Sequence, residues 1–298
     1  MHQYGHIIFL RSRHLRFLAV SGDIDSVPSS MSNLWNLETI IVKGLKGKVI
    51  LPDSIWYMAR LRHVHVNNHA TFILEGIKPV ELSQLYDLVT LSSPCFSDVE
   101  ETEIVLRRFP NLRKLGCMFV KPNSCLGNND HFPAMDVLTK LESPKISYYG
   151  PPPNVSPFIL PSSLKKFTLS SFRLPWHHIS AIARFPNLEV LNLLCRAFEG
   201  EVWEMEEDEY RELKYLKLDT LNIVQWDAYS DHLPNLQHLA LRNCKQLKEV
   251  PSAFLDIPTL QVIEVDGCGQ STDELVTRIE EEGIEGLKVL INGSVPYS

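Results

Sequence analysis

Three histidines, His63, His65 and His69, fall close together in the chain. On a strand, His63 and His65 leave by one face, because side chains two residues apart point the same way. That is where a metal site could begin. No carboxylate or cysteine is placed to complete a ligand set, so no metal is expected, and the Arg62-His63 pair reads as a surface feature. The run Gly44-Leu45-Lys46-Gly47-Lys48-Val49 lacks both the spacing and the terminal hydroxyl of a phosphate-binding loop, so this chain should not bind nucleotide. Serines, histidines and aspartates occur throughout, but no G-x-S-x-G places a serine on a strained nucleophile turn. The expectation is a protein that is not an enzyme and holds no cofactor. Six cysteines (Cys95, Cys117, Cys125, Cys195, Cys244 and Cys268) form no C-x-x-C. They read as reduced thiols of a cytoplasmic protein, with Cys117 at a buried strand position.

What would position such residues is a repeat. An apolar residue, two variable ones, an apolar residue, one variable and another apolar residue recur from Leu15-Leu18-Val20 to Leu287-Leu290. The starts are Leu15, Leu37, Leu61, Leu88, Leu112, Leu138, Leu164, Leu188, Leu213, Leu236, Leu260 and Leu287, at intervals of 22 to 27 residues. That spacing is the leucine-rich-repeat window. The expected fold is α/β: a leucine-rich-repeat solenoid, or horseshoe, with a parallel β-sheet on its concave face. Short helices, 3₁₀ turns and loops cover the convex face. The expectation is a single domain of about 12 repeats over 1–298. Its strands are predicted near 15–21, 37–43, 61–67, 88–93, 112–118, 138–143, 164–170, 188–194, 213–219, 236–242, 260–266 and 287–292. One repeat cannot bury its apolar face alone; stacked repeats can.

Between the strands, Val27-Pro28-Ser29, Leu51-Pro52-Asp53 and Val250-Pro251-Ser252 read as starts of short helices or 3₁₀ turns. Phe109-Pro110-Asn111-Leu112, Phe185-Pro186-Asn187-Leu188 and Leu233-Pro234-Asn235-Leu236 read as turns entering strands. The stretches 121–133 and 143–161 look like loops. Ser271 with Glu274 suits a capping box, so a capping helix is predicted at about 272–282. Residues 1–13 offer no polar capping unit. This suggests the C-terminal part of a larger protein, or an end that docks something.

Residues two and four places after each strand-start leucine should line the concave face. Lys114, Lys140 and Lys166 then form a column of like charge, and Tyr215, Lys217, His238 and Arg242 extend a basic, partly aromatic band. With His63 and His65 these are the candidate protein-binding residues. Phe17, Ala19, Thr39 and Ile41 make an apolar end suited to contact with a neighbouring domain. The 298-residue chain carries 29 Lys+Arg against 36 Asp+Glu, a net charge of −7, which argues against nucleic acid as the main partner. Glu199 to Glu212 is an acidic run, most simply a solvated turn. No apolar stretch approaches the roughly 18 residues of a transmembrane segment.

The connecting motifs carry a resemblance. Leu51-Pro52-Asp53-Ser54-Ile55-Trp56-Tyr57-Met58 runs into Leu61-Arg62-His63-Val64, and Ala197-Phe198-Glu199-Gly200-Glu201-Val202-Trp203-Glu204 leads into Leu213-Lys214-Tyr215-Leu216. With Asn33 to Thr39 and Leu236 to Pro251, the chain resembles the leucine-rich-repeat domain of plant coiled-coil nucleotide-binding (NLR) disease-resistance proteins, of the late-blight-resistance-like group of nightshades. The resemblance implies a protein-recognition and autoregulatory domain of an intracellular immune receptor. It would sense a pathogen effector or a host target and trigger defence or hypersensitive cell death. ADP or ATP would bind an upstream switch domain that this chain lacks. A substrate-binding leucine-rich-repeat adaptor of a ubiquitin ligase is the alternative; it would need an F-box segment, and residues 1–14 show none.

Overall fold

The structure is a computed structural model and describes residues 14–45, 47–72, 83–121, 132–153, 159–206, 210–269, 275, 277, 278 and 287–292. The chain divides into two compact units. The first comprises Met1–Cys125, His131–Ile146 and Ile159–Ser163, and the second Leu126–Asp130, Ser147–Phe158 and Leu164–Ser298. Both are built from leucine-rich repeats stacked through parallel strands.

In the first unit the strands are β1 (Phe17–Gly22), β2 (Thr39–Gly44), β3 (Lys48–Leu51), β4 (His63–Phe72), β5 (Thr90–Phe96), β6 (Lys114–Val120) and the start of β7 (Ser143–Tyr149). β1, β2, β4, β5 and β6 pair in parallel, and β3 pairs with the far end of β4. The alternation of side chains puts Ile40, Val64, Leu91 and Leu115 inside, each at most 1% exposed. The residues between them face outward on the open face of the ladder.

In the second unit β8 (Lys166–Ser170), β10 (Val190–Leu194), β13 (Tyr215–Asp219), β15 (His238–Arg242), β16 (Val262–Asp266) and β17 (Lys288–Asn292) form the corresponding parallel ladder. Phe167, Leu191, Leu216, Leu239 and Ile263 fill its interior, all fully buried. On the opposite side of the repeats, short strands pair in two further ladders: β9 (Leu174–Pro175) with β11 (Phe198–Glu199), and β12 (Val202–Glu204) with β14 (Gln225–Asp227).

One hydrogen-bond pattern sets the stacking. In most repeats the residue after the strand-start leucine offers its carbonyl to two N–H groups of the next repeat. Arg16 accepts from Glu38 and Thr39, Glu38 from Arg62 and His63, and Arg62 from Val89 and Thr90. In the second unit Lys165 accepts from Glu189 and Val190, Glu189 from Lys214 and Tyr215, and Lys214 from Gln237 and His238. Before each strand an i→i+3 turn closes onto the same leucine: Leu37 N–H donates to Leu34, Leu61 to Met58, Leu112 to Phe109 and Leu236 to Leu233.

These turns correct one register. Leu138 and Leu141 both fit the spacing, but Leu141 N–H donates to the Leu138 carbonyl at 2.8 Å, so Leu138 belongs to the turn and Leu141 starts the repeat. The strand runs over Ser143–Tyr149 rather than 138–143, within a stretch expected to be loop. Pro144 occupies the inward position that leucine, isoleucine, valine or phenylalanine fills elsewhere and hides the repeat.

The proline-led turns fold as 3₁₀ helices at Ser29–Asn33, Asp53–Tyr57 and Ser252–Asp256. One longer connection forms a helix, α1 (Val99–Leu106), whose N-terminus is capped by the Asp98 carboxylate accepting from Glu101 N–H at 2.8 Å. A second, α2 (Ser180–Ala183), is a single turn. The helix expected at 272–282 lies almost wholly outside the described residues; Leu275, Thr277 and Arg278 are helical.

An aromatic stack fills the outer side of the second unit. The ring of Trp176 lies 4.7 Å from that of Trp203, Trp203 lies 4.9 Å from Trp226, and Phe254 meets Trp226 edge-on at 4.8 Å. Trp176 Nε1 donates to the Gly200 carbonyl at 3.1 Å. Among the described residues the indole N–H groups of Trp203 and Trp226 have no acceptor, a cost of about 1–3 kcal/mol for each buried group that ring burial must offset. The stack explains the glycine in Phe198-Glu199-Gly200-Glu201-Val202-Trp203. A Cβ at Gly200 would lie 2.9 Å from Trp176 Cδ1, and the residue has φ +139°. Gly200→Ala should therefore destabilise the protein by about 1–3 kcal/mol in urea unfolding, the range for forcing extra volume into a packed site. An alanine variant as stable as the parent would remove the stack as the reason for this glycine.

Candidate recognition surface

Alternation along β4, β5 and β6 assembles the open face of the first unit. Thr39, His63, Thr90 and Lys114 are register partners in one row, and Ile41, His65, Ser92 and Gly116 in the next. The His63 and His65 rings stand 6.3 Å apart and nearly parallel, at 9°, so both project from the same face. Burial lowers the pKa of His63, and the charges of Arg62, His65 and Lys114 lower it further, with only Glu38 acting in the opposite direction. Glu38 is itself paired with Arg16 at 3.5 Å. Among the described residues, no carboxylate comes within ion-pair distance of Arg62 or Lys114. Beside Arg62 an open groove of about 520 Å³ is lined by Glu38, Arg60, Tyr86, Asp87 and Val89. No group of three His, Cys, Asp or Glu side chains that could hold a metal occurs among the described residues.

Toward β1, Phe17 pairs in register with Thr39 and Ala19 with Ile41. The four residues of the expected apolar end are therefore neighbours on adjacent strands, with Phe17 55% exposed.

The lysine column does not exist. Lys114 opens β6 on the open face, but Lys140 precedes Leu141 and lies in the turn, where its Nζ donates to Asn111 Oδ1 at 2.7 Å. Ser143 takes the place expected for Lys140, a direct result of the corrected register. Lys166 opens β8 in the second unit, exposed and in register with Val190.

Tyr215, Lys217, His238 and Arg242 do come together, on β13 and β15, but not as a basic band. Lys217 Nζ lies 3.0 Å from Asp219, Arg242 Nη2 lies 2.8 Å from Glu264, and His238 Nε2 lies 3.7 Å from the same carboxylate. The rings of Tyr215 and His238 are 4.8 Å apart. Burial disfavours the Asp219 carboxylate, yet hydrogen bonds from Lys217 and Thr220 outweigh it and hold its pKa below the ordinary value. The Arg242 hydrogen bond lowers the pKa of Glu264 against the opposing effect of burial. Asp219, Glu264 and Asp266 are the partners sequence reasoning missed. Glu264 stands four places after Leu260, in the same periodicity that located the bases, so the signal was present. Deeper on this face Asn192 Nδ2 donates to Thr168 Oγ1 at 2.9 Å.

Three of the cysteines fit an interior role: Cys117, Cys244 and Cys268 are buried, whereas Cys95 is half-buried, Cys195 is exposed and Cys125 lies outside the described residues. Burial strongly raises the pKa of Cys117. Of the acidic run, Glu199 pairs with Arg196, and 207–209 lie outside the described residues. No helix among the described residues is long and apolar enough to cross a membrane.

Two measurements check these surfaces. In NMR titrations the His63 ring should titrate below 6.5, and Lys114→Gln should move its midpoint part of the way back up. A midpoint unchanged by Lys114→Gln would mean that the lysine does not face the ring. Glu264 has a depressed folded pKa, so its contribution to stability is present above the unfolded value near 4.5 and is lost as pH falls through the folded value. Glu264→Gln should cost about 1 kcal/mol at pH 7 in urea unfolding, and the difference from the parent should shrink by pH 3. An undiminished difference at pH 3 would show that the pairing charge is not what matters.

Comparison with known proteins gives these surfaces a context. No protein-family model matches the chain. It is 38% identical over 276 residues to a protein of Solanum demissum named as late blight resistance protein homolog R1B-16, a match covering 91% of this chain and 21% of that protein. It is 39% identical over 280 residues to homolog R1B-8 of the same plant, covering 91% of this chain and 23% of that one, and 37% identical over 279 residues to homolog R1B-12, covering 91% and 20%. The chain thus spans about a fifth of the length of these relatives.

Proposed function

We propose that this chain, a homologue of a segment of the late blight resistance proteins, is the protein-recognition and autoregulatory region of a plant disease-resistance receptor. Its identity of 37 to 39% with three such proteins over 91% of its length carries the reading. The geometry supports it. The leucines are spent on the interior, the backbone hydrogen bonds on stacking, and the outward side chains are left as two ordered polar faces. Such a surface suits a protein partner: charges held in place by register steer encounter and select the partner. The partners would be a pathogen effector or host target and a nucleotide-binding switch domain elsewhere in the receptor, with ADP or ATP bound there. The exposed patch of Phe17, Ala19, Thr39 and Ile41 suits the switch contact. Contacts made better in the resting state hold the switch closed, and a ligand that competes for them releases it. The setting is cytoplasmic, and the chain performs no chemistry of its own.

The test replaces the matching segment of R1B-16 with this chain and expresses the receptor in leaves. The double charge reversal Lys217→Glu with Arg242→Glu should either induce cell death without a pathogen or abolish the response to one, while the purified chain keeps its melting temperature within a few degrees. A response identical to that of the unreversed chimera, at rest and under challenge, would exclude the second unit's face.

A further inference from the structure

The two open faces treat charge differently. In the second unit Lys217 and Arg242 are each matched by a carboxylate on the same or the next strand. In the first unit Lys114, His63 and His65 share the open face with Arg62 beside it at the strand entrance; Glu38 and Asp87 line the groove next to Arg62, but among the described residues no carboxylate lies at ion-pair distance from Arg62 or Lys114, on a chain whose net charge is −7. Concentrating unmatched cations on one patch of an acidic protein is unfavourable unless an anion relieves it. The register sets the span. His63 and Lys114 flank Thr90 on adjacent strands, one on each side. Two strand spacings separate their backbones by about 10 Å. In that row only Thr90 stands between them, and its hydroxyl can donate to an anion bridging the two. Gly116, beside Lys114 in the second row, contributes no side chain to block it.

We propose that this patch binds a phosphorylated serine or threonine side chain of a partner protein. The proposal rests on reading the open face as a protein-recognition surface, and it names the partner's chemistry. Arg62 and Lys114 supply two full positive charges, and the His63 and His65 rings each offer at least one N–H to donate. A carboxylate brings one charge and two oxygens. A phosphate monoester brings nearly two charges and three terminal oxygens, which matches this donor set. The groove lined by Tyr86 and Asp87 next to Arg62 gives the flanking peptide a place to lie.

The test uses the full chain and a fluorescein-labelled glycine-flanked phosphoserine peptide, followed by anisotropy at about 50 mM salt, where exposed charges are weakly screened. The phosphopeptide should bind at least tenfold more tightly than the serine and glutamate forms of the same peptide, and millimolar inorganic phosphate should displace it. Lys114→Gln and Arg62→Gln should each weaken binding at least fivefold, while Lys217→Gln on the other face should leave it unchanged. Lys114 is exposed, so its variant tests the idea even if Arg62→Gln fails to fold. Equal binding of the three peptides, no measurable binding of any, or full affinity in Lys114→Gln would overturn the proposal. The readout is independent of cell death. Its failure would leave the receptor reading standing, and a chimera without a receptor phenotype would leave phosphopeptide binding intact.

Discussion

A single carbonyl per repeat governs the architecture. Because within each unit the residue after most strand-start leucines accepts two N–H groups from the following repeat, adjacent strands are locked in parallel and in register. A slip of one residue would turn every leucine of a strand outward, so this bond and the buried leucine column enforce each other. In the second unit the strands also end alike. Ser171, Cys195, Thr220, Asn243 and Gly267 all have positive φ, and the N–H groups of the first four reach the last strand residue of the following repeat. Four non-glycine residues in that conformation show that the lattice dictates backbone shape even against side-chain preference.

The lattice also decides which charges meet. Register brings adjacent strands close, so Arg242 reaches Glu264 diagonally on the next strand, while Lys217 reaches Asp219 two places along its own. The same rule at the strand entrances pairs Arg16 with Glu38, Arg113 with Glu142 and Glu189 with Lys214. These exposed pairs contribute little stability individually. On the first unit's face, among the described residues, Lys114 has no such partner.

The leucine spacing made most strands legible, because inward positions tolerate only apolar side chains. Legibility failed at Pro144, where a ring that is apolar yet atypical for a strand masked the repeat and shifted the reading by three residues onto Leu138. That error placed Lys140 on the face and produced a column of lysines that the turn at Leu141 dissolves. The division into two units left no trace in a pattern that runs evenly across it. The polar faces were half legible. Position along the strand showed that Tyr215, Lys217, His238 and Arg242 share a side, but attention to the bases alone passed over Asp219, Glu264 and Asp266. The motif around Gly200 was recognisable as a string, and only the Trp176 ring lying against it supplies the physical reason.

The two-donor carbonyl has a consequence for inheritance. Each repeat presents the same acceptor to its successor and the same pair of donors to its predecessor, so a whole repeat gained or lost by unequal exchange still finds a fitting neighbour. Outward residues such as His63 contribute nothing to that carbonyl joint through their side chains. Such positions can therefore vary while the scaffold persists.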